Sequence, residues 1–246
     1  MHKSSMLRMQ WFRDNYCNKL NPNNTITVLD VGSQCVPGQS ETYKVFFSEP
    51  SFKYIGLDMT EGYNVDIAVK RPYQWDEVPD NFCDILISGQ VLEHVEFPWF
   101  TIAEMARVVK PHGLICIIAP SMSKLHRFPV HTQNYFSDGL IALAKYAGLN
   151  VIHASTNYAP LNAPLEWYSK TGDTILIAQK TENWNPNAFD KVNYVCKPTD
   201  LNKIATGLVS LKNQSRFYMF KVTLWKSILK LIPKPIKKMI ISIGNF

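Results

Sequence analysis

At 246 residues, with 46% apolar composition and a net charge of +6, the chain has room for one full α/β domain plus appendages, and enough core to fold without staples. Eight of its cations fall in residues 212–246, which hold no acid; residues 1–211 therefore carry −2, which excludes a globally basic nucleic-acid binder. The five cysteines (Cys17, Cys35, Cys83, Cys116 and Cys196) form no Cys-x-x-Cys pair, which argues for a reducing compartment and against a zinc site.

Residues 1–13 are broken by Lys3, Arg8 and Arg13 and have no apolar stretch of signal-peptide length. No run approaches the ~20 apolar residues needed to span a bilayer, so a cytoplasmic location is expected. Residues 4–20 place Met6, Met9, Phe12, Tyr16 and Leu20 near helical spacing, with Ser4 and Ser5 available as N-caps. After the turn 21–24, residues 25–31 read as a buried strand that stops at Gly32 and Ser33. A short helix is expected over 41–47, a second strand over 54–58, a third over 65–69 and a fourth over 83–88. Pro98 opens a helix that runs to 109, and Pro111-His112-Gly113 ends it. Residues 114–119 are apolar throughout, as in a strand buried on both faces. A helix over 136–147 and strands over 151–154 and 173–179 follow. Strands separated by helix-length segments predict a Rossmann-like, doubly wound, mainly parallel seven-stranded sheet.

The chemistry gathers at two strand ends. A glycine directly after a strand lets the backbone approach a ligand where a Cβ would block it. An acid ending the next parallel strand, here Asp58, can accept both hydroxyls of a ribose. Asp30, Gly32 and Asp58 together describe a nucleoside crevice. A dinucleotide oxidoreductase would want Gly-x-Gly-x-x-Gly, which Gly32-Ser33-Gln34-Cys35-Val36-Pro37 is not.

Val28-Leu29-Asp30-Val31-Gly32-Ser33, the strand-ending Asp58, Val91-Leu92-Glu93-His94-Val95 and the segment 107–113 follow the order and spacing of the class I S-adenosylmethionine-dependent methyltransferases, which the chain resembles over residues 1–180. It also resembles a narrower group associated with bacterial surface-polysaccharide synthesis. That likeness rests on the opening Met-His-x-Ser-Ser, on Asn64-Val65-Asp66, on Pro72-Tyr73-x-Trp75, and on Ala119-Pro120-Ser121 leading to His126-Arg127-x-Pro129-Val130. The resemblance implies S-adenosylmethionine as cofactor. Gly32 and Ser33 would meet its methionyl part, Asp58 its ribose, and Met59 its adenine; Ser88, Gly89 and Gln90 would floor the sulfonium. Two departures stand out. Gln34 replaces the second glycine of the usual loop, and Arg71 sits where an acid often reads the adenine amino group, leaving that task to backbone atoms.

Methyl transfer to a hydroxyl also needs a proton acceptor, and histidine is the usual choice. His94 after the fourth strand, and His126 and His131 after the fifth, are the candidates, with His126 beside Arg127 fitting the narrower group best. Arg127 and Tyr135 are expected to contact the acceptor. No two histidines stand at i, i+4 on one helix with an acid, so no metal is expected. The expected reaction is O-methylation of a sugar hydroxyl, on a nucleotide-sugar or surface glycan. A phosphoryl group or quinone-like phenol is the alternative acceptor, and an inactive cofactor-binding interaction module the alternative class. Residues 181–211 read as a linker or irregular cover. Residues 212–246 interleave lysines with aromatic and aliphatic residues, a pattern suited to an anionic membrane surface. Packing on the body or on a twin subunit explains the tail equally well, and RNA binding ranks below both.

Overall fold

The computed structural model describes residues 3–17, 25–35, 38–39, 41–127, 129–157 and 172–186. The apolar runs pair into a seven-stranded sheet, ordered β3-β2-β1-β4-β5-β7-β6. Its strands are β1 (Ile26–Val31), β2 (Phe52–Asp58), β3 (Ile67–Ala68), β4 (Cys83–Gly89), β5 (Val109–Met122), β6 (Asn150–Asn157) and β7 (Gly172–Gln179). The first five in spatial order run parallel, whereas β7 is antiparallel to both β5 and β6. The mainly parallel expectation holds. Spatial order reverses between β1 and β4, and such a switch point opens a crevice at the carboxyl ends of the strands.

Two cores form, one on each face. On one face Met9 and Phe12 of α1 (Lys3–Tyr16) and the 3-10 turn Tyr43–Phe47 pack on Val28, Ile85, Ile87 and Cys116. On the other, α2 (Pro98–Val108) and α3 (Ser137–Tyr146) lie over Leu29, Leu86, Ile115 and Leu176, with Trp75 buried among them.

Several local expectations change for physical reasons. The helix expected over 41–47 is a five-residue 3-10 turn, capped by the Thr42 hydroxyl, which accepts the Lys44 N–H. Ser4 and Ser5 are not caps, because α1 already begins at Lys3. Ser4 donates to Asp173, and Ser5 shares a 2.5 Å hydrogen bond with the buried Tyr43 hydroxyl. Strand β5 starts at Val109, directly after α2, and runs through Pro111-His112-Gly113 instead of beginning beyond them. His112 takes a left-handed φ of 64° there, and its N–H donates to the Lys180 carbonyl at 2.8 Å. The segment that looks like a stop is a bulge stitched to the end of β7. Beyond β7, Trp184 donates its indole N–H to the Ala147 carbonyl at 2.8 Å and packs against the core of the α2–α3 face. Residues 187–246, the basic tail and Cys196 included, lie outside the described residues. No helix among the described residues is long and apolar enough to cross a membrane.

Candidate active site

The turn after β1 is built around Gly32, whose φ of +80° belongs to the left-handed region that side chains disfavour. A Cβ there would lie 2.1 Å from Val91 Cγ2. The glycine thus spares a collision inside the protein as well as leaving the backbone bare. The Gly32 and Ser33 amides donate to the Leu57 carbonyl at 2.8 and 3.1 Å, and the Ser33 hydroxyl donates to the Asn64 carbonyl at 2.8 Å. Asp58, ending β2, accepts the Gln34 amide at 3.0 Å on one oxygen and the Met59 amide at 2.7 Å on the other. Each oxygen keeps further acceptor capacity. The Met59 side chain is exposed.

Asp30 is 2% exposed and receives the Tyr54 hydroxyl, which in turn accepts the Asn64 amide at 2.9 Å. Burial pushes its carboxyl up to about 7, partly offset by the Tyr54 hydrogen bond, while the Asp58 charge pushes it further up. Gly89 closes β4 against Tyr43, whose hydroxyl would stand 1.8 Å from a Cβ. Gln90 has a left-handed φ of 61° and reaches Asp173 at 3.1 Å. Ser88 is buried and donates to the Val31 carbonyl, so its hydroxyl braces β1 instead of lining a floor.

The three candidate histidines converge. Ring centroids lie 5.0 Å apart for His94 and His126, 5.9 Å for His94 and His131, and 4.7 Å for His126 and His131. They come from two connections: His94 from the 3-10 turn after β4, the others from the loop after β5. His94 Nδ1 lies 2.5 Å from the Val130 carbonyl, and His126 Nδ1 2.9 Å from the Lys124 carbonyl. A carbonyl only accepts, so both rings carry a proton on Nδ1, and the neutral form of each ring keeps its lone pair on Nε2. His131 is the reverse: its Nδ1 accepts the His126 amide at 3.2 Å, and its Nε2 lies 3.4 Å from Asn134 Oδ1. It holds the loop. Burial lowers the His94 pKa, with the Val130 hydrogen bond opposing and the other two histidines reinforcing.

Beside them lies Glu93, the neighbour of His94 in the segment Val91-Leu92-Glu93-His94-Val95. It is 1% exposed, and burial pushes its carboxyl up to about 7. Its Oε1 stands 3.8 Å from His94 Nε2, too far for a hydrogen bond, and its Oε2 has no hydrogen-bond partner among the described residues.

Of the two expected acceptor contacts, Tyr135 is 5% exposed, its hydroxyl donating to the Leu92 carbonyl at 3.3 Å, which packs it under the turn. Its neighbour Phe136 is the exposed aromatic. Arg127 lies exposed in the loop beside His126. Arg71 pairs with Asp76 across an exposed turn. Tyr43 and Asp173, which join the ends of β4 and β7 to α1, were missed; only their position on buried strands and turns could have marked them.

The family described as "Methyltransferase domain" matches residues 37–117, about a third of the chain. Among solved structures, the Burkholderia thailandensis 1,6-didemethyltoxoflavin-N1-methyltransferase, with S-adenosylhomocysteine bound, aligns at TM-score 0.54 and 14% identity, covering 73% of this chain and 80% of its own. The fold is that of a class I methyltransferase. The same fold occurs in the [4+2]-cyclase SpnF, at TM-score 0.50 and 16% identity over 70% of this chain and 81% of that one, so the methyltransferase fold alone does not set the reaction. A ubiquinone biosynthesis O-methyltransferase of Agrobacterium fabrum is 27% identical over 47% of this chain and 52% of its own length. The chain spans about half the length of the curated relatives it matches.

S-adenosylmethionine, the cofactor this fold and family imply, fits the residues present. Asp58 offers two acceptor oxygens at the end of β2, and the glycine turn beside it has no side chain. Asp30 is held up near 7 by burial and by Asp58, an environment that a cationic ligand relieves.

Proposed function

We propose that the chain transfers a methyl group from S-adenosylmethionine to the oxygen of a hydroxyl-bearing acceptor. The convergence of His94, His126 and His131 within 6 Å, at the same sheet edge as the Gly32 turn and Asp58, carries this reading. When bound, the cofactor supplies an electrophilic methyl group on a sulfonium. Asp58 holds the ribose hydroxyls, with Met59 beside the adenine. Gly32 and Ser33 meet the methionyl portion, with Gly89 and Gln90 beneath it, and Asp30 supplies negative charge nearby. His126, exposed and with Nδ1 engaged by the Lys124 carbonyl, takes the acceptor's proton on Nε2, and His94 braces it from the buried side. Holding donor and acceptor in line supplies much of the remaining acceleration.

Two acceptors have support. The resemblance of the segments around His126 and Trp75 to glycan-associated enzymes favours a sugar hydroxyl, with nucleotide-sugars or surface glycans as substrates. The name of the curated relatives favours a quinone-like phenol. A membrane-surface role for residues 212–246 would suit either, since both acceptors are commonly lipid-linked or lipid-soluble. The test is release of S-adenosylhomocysteine against parallel panels of nucleotide-sugars and of catechols. His126→Ala should abolish turnover while calorimetry still detects S-adenosylhomocysteine binding; normal turnover by that variant would place the base elsewhere. If cofactor binds and neither panel turns over, the chain is a binding module.

A further inference from the structure

We propose that Glu93, His94 and His126 form a site for a first-row divalent transition cation, of the zinc or cobalt kind, next to the acceptor. Spacing along the chain gives no sign of it, because the ligands come from two separate connections that only the fold brings together. One ligand atom from each residue lies within 4.8 Å of the other two. Bonds of ~2.1 Å to a common centre bring ligand atoms to at most ~4.2 Å apart, so side-chain adjustments of under ~1 Å close the set.

Two independent features make this more than proximity. Both imidazoles are fixed in the tautomer that coordinates through Nε2, since each donates Nδ1–H to a backbone carbonyl, Val130 for His94 and Lys124 for His126. That second hydrogen bond is the usual companion of a metal-bound histidine. Glu93 is 99% buried by its 1% exposure, yet Oε2 has no hydrogen-bond partner among the described residues. An unmade bond of that kind is destabilising, and more so for a charged group. A cation supplies the missing partner. His131 then acts as a positioning residue, its Nδ1 holding the His126 amide.

The donor set selects the metal. Two imidazole nitrogens and one carboxylate suit zinc, cobalt or iron better than magnesium or calcium, which prefer oxygen. Three protein ligands leave a coordination position open, the arrangement of catalytic rather than structural sites. Its role, unlike its existence, rests on the proposed methyl transfer: with the cation bound, His126 Nε2 is a ligand, and the cation replaces that histidine in activating the acceptor. An acceptor hydroxyl bound there loses its proton to solvent more readily; the oxygen–carbon bond then forms as the carbon–sulfur bond breaks, its electron pair returning to sulfur.

The test uses the untagged full chain, treated with EDTA and titrated with Co2+ by visible absorption and with Zn2+ by competition. The expected result is uptake of one equivalent with a d–d band. Glu93→Gln and His126→Gln should each weaken it by ~100-fold or more, while His112→Gln, exposed and remote from the cluster, should not. His126 stands on an exposed loop, so its variant remains informative if Glu93→Gln does not fold. Absence of uptake by the parent chain, or unchanged uptake by both variants, overturns the site. Calorimetry with S-adenosylhomocysteine runs in parallel: cofactor binding without cobalt uptake removes only the metal, and the converse removes only the methyl-transfer reading.

Discussion

Gly32→Ala separates two reasons for a glycine at the head of the crevice. At φ +80° an alanine incurs ~1–2 kcal/mol from backbone strain alone. Its Cβ would also stand 2.1 Å from Val91 Cγ2 and 3.2 Å from Val91 Cβ and Cγ1, an overpacking of ~1–3 kcal/mol. Together these reach ~2–5 kcal/mol, a large share of the ~5–15 kcal/mol that stabilises a typical domain. Val91→Ala removes the 2.1 Å contact but leaves φ untouched. In urea unfolding, Gly32→Ala/Val91→Ala should therefore recover ~1–3 kcal/mol relative to the sum of the single variants, and keep the strain. Additive single variants would refute the steric account. Calorimetry with S-adenosylhomocysteine on the folded fraction addresses the ligand. If Gly32→Ala unfolds at the parent's midpoint yet fails to bind, the glycine serves the ligand alone and the Val91 argument is wrong.

Asp30 gives a pH signature. Its folded carboxyl sits at about 7 against an ordinary 3.8, so its stabilising contribution is complete below pH ~4 and disappears as pH rises through 7, a loss of up to about 4 kcal/mol. Asp30→Asn keeps an acceptor for Tyr54 and lacks the titration, so its stability relative to the parent should climb between pH 4 and 7; a pH-independent difference refutes the buried-acid account. Asp58→Asn removes the charge and one acceptor, and should weaken S-adenosylhomocysteine by ~10–100-fold in calorimetry with little change in melting; unchanged affinity would move the ribose site. For residues 212–246, the full chain should float with phosphatidylglycerol vesicles and not with phosphatidylcholine, and 0.5 M salt should release it. Equal flotation with both lipids would remove the electrostatic anchor.

The strands were readable where both faces of the sheet are covered: β1 and β4 carry bounded runs of Val, Ile and Leu, with residues of each strand in both cores. Readability failed where tertiary contacts overrode local chemistry. Pro111-His112-Gly113 has the composition of a stop, yet Lys180 binds it into a continuing strand. Ser4 and Ser5 have cap chemistry, but a helix starting two residues earlier turns them onto Asp173 and Tyr43. At the site, Gly32 and Asp58 were legible because each does its work within one turn. The Glu93–His126 juxtaposition was not, because thirty-odd residues of chain separate its halves and nothing in either half records where the other goes.

These observations share one electrostatic cause. The carboxyl edge of the sheet gathers Asp30, Asp58, Glu93 and Asp173, and they feel one another: Asp58 raises Asp30, and Asp173 raises Glu93, on top of burial. Buried carboxylates that repel each other are costly unless a positive group answers them. On the α1 side Arg8 lies 4.0 Å from Asp173. On the proposed reading, a sulfonium-bearing nucleoside would meet the same need near Asp30 and Asp58, and a divalent cation between two pre-oriented imidazoles would meet it at Glu93. An edge charged this way would discriminate between the donor, which carries the positive sulfur, and its neutral demethylated product. Once the methyl leaves, the attraction falls and product release is favoured. The sign of that discrimination is therefore fixed by Asp30: in Asp30→Asn the donor's affinity should fall more than the product's, narrowing the ratio between them.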